Sequence, residues 1–144
     1  MFIALLCLVT LSGCSRRPPN SRQTRGEIIS EYLPIRLSDQ FRLTIGRLPH
    51  EKTDFHESEL TVIYRFISSF SYYGPNPPWY DLGVAGRPLG LPIILYASSE
   101  EHETTIQLIP FQRGHFASVR VDDEPEQWFE VDSDAFDDVV ELVR

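Results

Sequence analysis

Two histidines and four carboxylates fall within ten residues, from His50 to Glu59. Imidazole and carboxylate are ligands for zinc and similar ions, which makes His50, Asp54 and His56 the candidate metal set. The run misses the spacing His-Glu-x-x-His, because its fifth position is Asp54. That pattern also needs a helix to bring its ligands to one face. Pro49 and the polar composition predict a turn here instead, so an exposed connection explains the same residues. Saturable heat on titration with zinc is the observation the metal reading requires.

A second group is acidic. Ten carboxylates and no basic residue lie between Asp122 and Glu141. Asp132, Asp134, Asp137 and Asp138 have oxygens suited to calcium, but the run lacks the central glycine and closing glutamate of an EF-hand loop. A turn followed by a helix N-terminus accounts for them. The third group is aromatic. Tyr72, Tyr73, Trp79 and Tyr80 flank the Pro-rich turn Gly74-Pro75-Asn76-Pro77-Pro78. Prolines stiffen a loop and lower the entropy cost of binding. Exposed Tyr and Trp on such a loop suit a peptide or a glycan. The alternative is a loop folded back so that its rings complete the core. Nucleophilic catalysis finds no Gly-x-Ser-x-Gly and no Ser-x-x-Lys. His102 and His115 stand singly near predicted turns and read as surface residues.

These groups must be placed by a small domain. Phe41 to Ile45 alternates apolar and polar residues, as a half-buried strand does. Leu60 to Ile67 is ambiguous. Leu60, Ile63, Tyr64, Ile67 and Phe70 fit a helical face with Ser58 as N-cap, whereas the β-branched and aromatic content favours a strand. The strand is the expectation. Glu27 to Leu33 fits a turn or two of helix stopped by Pro34. Residues 72 to 92 are rich in Gly and Pro and are expected as a long ordered loop. Strands are then expected at Ile93–Tyr96, Thr105–Ile109, Phe116–Val121 and Gln127–Val131, with turns between them. Asp132 or Ser133 should cap a final helix whose apolar face is Phe136, Val139, Val140 and Val143. The predicted fold is α+β. An antiparallel meander of about five to six strands should carry the C-terminal helix packed across it.

Composition removes several chemistries. The chain holds two cysteines, Cys7 and Cys14, both near the N-terminus. The region from residue 27 onward has no thiol for catalysis or for cysteine-ligated zinc. One lysine against 12 arginines, with that lysine in no glycine-rich loop, excludes a Walker A site. Residues 1–72 hold 9 basic and 7 acidic side chains, about +2, and residues 73–144 hold 4 and 14, about −10. The acidic half argues against nucleic acid as a partner.

The N-terminus has its own chemistry. Apolar or small residues run from Phe2 into Leu11-Ser12-Gly13-Cys14, and a polar segment with four arginines follows. This resembles the signal peptide of a bacterial lipoprotein, with Leu11 to Cys14 as the lipobox. The resemblance implies cleavage between Gly13 and Cys14 and lipid on the Cys14 sulfur. It covers about the first 15 residues. The apolar run suits a secretory segment and is about half the length a spanning helix needs. Two or three acyl chains anchor stably at roughly 0.8 kcal/mol per buried CH₂. The run departs from the pattern in having no Lys or Arg before it, which a start codon assigned too late would explain. Ser15 after the cysteine resembles outer-membrane rather than inner-membrane retention.

The expected organisation is therefore a signal peptide over residues 1–13, lipidated Cys14 with an Arg/Pro-rich tether over 14–26, and one α+β domain over 27–144. The expected function is a lipid-anchored, non-enzymatic cell-envelope protein, without cofactor. It would meet the membrane through Cys14 and bind an envelope protein, peptide or glycan. The alternative is a small envelope hydrolase or metal-binding protein using His50, Asp54 and His56.

Overall fold

The structure, a computed structural model, describes residues 33–36, 39–46, 51–80, 83 and 85–144. The signal peptide, Cys14, the tether, most of Glu27–Leu33 and His50 lie outside these residues. Seven strands form one antiparallel sheet: β1 Gln40–Ile45, β2 Glu51–Lys52, β3 Ser71–Gly74, β4 Ile93–Ser98, β5 Glu103–Phe111, β6 Gly114–Val121 and β7 Gln127–Val131. Their order is β2-β1-β4-β5-β6-β7-β3. Helix α1, Glu57–Ser68, leads from the β1–β2 edge to β3 at the opposite edge, and α2, Ser133–Glu141, follows β7. Among the described residues no helix is long and apolar enough to cross a membrane.

The meander β4 to β7 follows from alternation. In β4, Ile93, Leu95 and Ala97 are buried while Ile94, Tyr96 and Ser98 are only partly covered. In register with them stand Leu108, Ile106 and Thr104 of β5, and beyond those Ala117, Val119 and Val121 of β6. These side chains, apolar except for Thr104, face both helices, and the apolar ones form the main core. α2 forms as expected. Asp132 is its N-cap, with Oδ1 accepting from the backbone N–H of Asp134 and Ala135. Its buried face is Ala135, Phe136 and Val139, with Val140 and Val143 partly covered.

Three expectations are corrected. Residues 60–67 are helix, not strand, because Ile63, Phe66 and Ile67 lie on one stripe that covers the sheet. The stripe is also rotated from the face expected for a helix. Phe66 is buried, Tyr64 is half-exposed, and the N-cap is His56 rather than Ser58. The His50–Glu59 stretch is not wholly turn, since it holds β2 and the first helical residues. The stretch from Tyr72 does not begin as loop. Ser71–Gly74 pairs with β7 across a register shift between Tyr72 and Gly74. The strand count rises from five or six to seven because β2 and β3 are edge pieces of two and four residues.

Candidate functional site

The sheet has a second, smaller core on the face away from the helices. Phe111, Phe116 and Trp128 are buried there with Ala85, and Tyr73 and Ile109 pack against them. The cover is the segment after β3. Pro78–Tyr80 makes a single 3₁₀ turn that lays Trp79 over this core. The Trp79 ring stacks on Phe111 at 6.4 Å and meets Trp128 edge-on at 5.0 Å. It stays 39% exposed, and Tyr80 beside it is 75% exposed.

The rest of the segment is tied to the tip of the β5–β6 hairpin. The Leu89 N–H donates to the Pro110 carbonyl at 2.7 Å, Gln112 N–H to Arg87, and Arg113 N–H to Ala85. Pro88 bridges Phe111 as a strand would. The Arg113 guanidinium donates to the Gly83 carbonyl. Gly86 is required, because its φ of +73° is left-handed and a Cβ would lie 2.8 Å from Gln112 Oε1. Trp79, Tyr80, Leu89 and Leu91 are exposed along the described parts of this segment. Among the described residues only one other large hydrophobic side chain, Tyr64, is exposed.

The four aromatics singled out from sequence are thus divided. Trp79 and Tyr80 form the exposed surface. Tyr73 packs its ring on Phe116 at 5.3 Å beneath it. Tyr72 lies on the helix face, against Phe129, and its hydroxyl donates to Gln127 Oε1 at 2.9 Å. Burial pushes the Tyr72 phenol above its ordinary pKa. Leu89 and Leu91 are exposed too, with the Leu91 side chain beside Gly46, and residue-by-residue reading passed over them. Their signal is Pro88-Leu89-Gly90-Leu91-Pro92, two leucines framed by residues that keep a chain out of regular elements.

The candidate metal ligands are not gathered among the described residues. Asp54 is exposed, His56 starts α1, and His50 is not described. Among the described residues no three of His, Cys, Asp and Glu come together. Glu59 is committed to the helix start instead. Its Oε2 accepts from the His56 backbone N–H at 2.9 Å, and its Oε1 meets Lys52 Nζ at 2.9 Å. Both contacts favour the charged form and hold the carboxyl below the usual glutamate range.

The other histidines are structural. His102 Nδ1 lies 2.8 Å from Asp122 Oδ2, which ties the β4–β5 turn to the β6–β7 turn. His115 sits over Phe136 at 4.3 Å with Nδ1 3.1 Å from Ser133 Oγ. A hollow of about 800 Å³ beside His102 is walled by Leu33–Arg36 and the Ser98–His102 turn, at the sheet end opposite the β5–β6 hairpin tip. No family model, curated protein or solved structure matches this chain.

Proposed function

We infer that this chain is a lipid-anchored, non-enzymatic binding domain of the bacterial cell envelope, held through Cys14 and working through the surface around Trp79 and Tyr80. The observation that carries the binding half is the clamp on Trp79. A ring held on two sides by Phe111 and Trp128, yet substantially open to solvent, meets a partner with little ordering left to do. The prolines on either side serve the same end. The anchoring half is carried by Leu11-Ser12-Gly13-Cys14 at the end of an apolar run, and Ser15 favours the outer membrane.

The first test is membrane partition of wild type and Cys14→Ser expressed with the native upstream sequence, with intact mass of the N-terminal peptide. Wild type should sediment with membranes and carry acyl mass on Cys14, and the serine form should not. Two soluble, unprocessed forms would overturn the anchor. For the binding half, Trp79→Ala with Tyr80→Ala should abolish whatever envelope component co-purifies with wild type.

A further inference from the structure

We propose that Arg16 and Arg17 form a headgroup-binding site, a grip on anionic phospholipid beside the acyl chains of Cys14. The proposal rests on the anchor reading above and adds the lipid class that the anchor prefers. Covalent reach carries it. The two arginines follow Cys14 by two and three residues, so their Cα atoms lie within about 11 Å of the lipidated cysteine in any conformation. The side chain brings each guanidinium back toward the headgroups, inside the range of about 8 Å over which charges act at physiological salt. Its planar fork of donors suits phosphate oxygens. Arg22 and Arg25 are eight and 11 residues from Cys14, and an extended chain places them as far as about 30 and 40 Å away.

Charge is divided along the chain to match. Residues 14–26 hold four arginines and no carboxylate, a formal +4, while residues 27–144 hold nine basic and 21 acidic side chains, a formal −12. Carboxylates also gather where the described chain begins. Leu33–Arg36 and the Ser98–His102 turn wall one hollow, and His102 ties that turn to Asp122. The two turns, residues 98–104 and 121–126, carry seven carboxylates. An anionic leaflet therefore attracts the residues beside Cys14 and repels this part of the domain. The stretch from Cys14 to Leu33 extends to about 60 Å, so both demands can be met at once. The same carboxylates are the rival partner for the arginines. Arg25 is the arginine nearest to them along the chain, eight residues before Leu33, and Arg16 and Arg17 are the farthest. That order leaves Arg16 and Arg17 to the leaflet.

The test dilutes the full acylated chain from detergent into a mixture of two vesicle populations that differ in density. One is phosphatidylcholine alone and the other also contains phosphatidylglycerol. At physiological salt wild type should gather on the phosphatidylglycerol vesicles. Arg16→Gln with Arg17→Gln should lower that preference by about 25-fold, at about fivefold per cation. Arg22→Gln with Arg25→Gln should lower it much less, and 1 M salt should remove it in every chain. Both double variants should keep the wild-type far-UV circular dichroism and thermal midpoint. An acylated wild type without preference for phosphatidylglycerol overturns the grip and leaves the anchor standing. So does a larger loss from the Arg22, Arg25 pair than from the Arg16, Arg17 pair, which would assign the arginines to the domain's own carboxylates. Wild type with no acyl mass on Cys14 and no association with either vesicle overturns anchor and grip together.

Discussion

Asp122 shows how much one carboxylate does in this domain. It is the one non-glycine residue with positive φ among those described, at +49°. Asp tolerates that left-handed conformation better than most residues. From there Oδ1 accepts from the Glu103 backbone N–H at 2.9 Å, and Oδ2 meets His102. The Asp122 N–H donates to the Glu103 carbonyl at 2.8 Å. Asp122→Ala should therefore cost about 1–3 kcal/mol, visible as a thermal midpoint lower by several degrees, and Asp122→Asn should cost less. Glu59 makes a pH prediction. Its folded pKa lies below the ordinary value of 4.5, so the stability it adds is present above that value and is lost as pH falls through the folded one. Wild type should be more stable than Glu59→Gln at pH 7, and the two should converge in acid. A gap that persists at low pH would contradict the assignment. The Asp122–His102 pairing was not readable beforehand, because the two are 20 residues apart and a spacing carries no distance across a sheet.

At the scale of elements, α1 is the instructive case. Its β-branched and aromatic residues lower intrinsic helix propensity, and local reading accordingly favoured strand. Burial overrides this. Phe66 is fully buried and meets Phe70 edge-on at 4.9 Å, and Phe70 lies 5.5 Å from Phe129 on the sheet. Only a helix puts residues 63, 66 and 67 on one side. Phe66→Ala should cost about 3–5 kcal/mol, read from the urea midpoint at constant slope. A cost under 1 kcal/mol would mean that α1 is not the cover of this sheet. The strands β4 to β7 and helix α2 were legible because their signals are local: period-two alternation, turn residues between strands, and a capping aspartate. β2 and β3 were not, since pieces of two and four residues are strands only by virtue of β1 and β7 alongside.

The described residues form one sheet with a core on each face, and Trp79 packs on the smaller core. Loop and sheet should then unfold together. In Trp128→Phe, where Trp79 is the one remaining indole, its emission and the far-UV signal should follow the same urea curve. An earlier fluorescence transition would show the loop detaching by itself. The amino-acid sequence determined the α+β class, the meander, the C-terminal helix and the exclusion of thiol chemistry from residue 27 onward, because alternation, caps and composition act within a few residues. It also located the aromatic segment. Tertiary structure alone decided that α1 is a helix, that Tyr72 and Tyr73 face opposite sides, and that Trp79 is held on Phe111 and Trp128 while still exposed. Those outcomes depend on which apolar faces must be covered and on contacts between residues far apart in the chain, and neither is encoded at any single position.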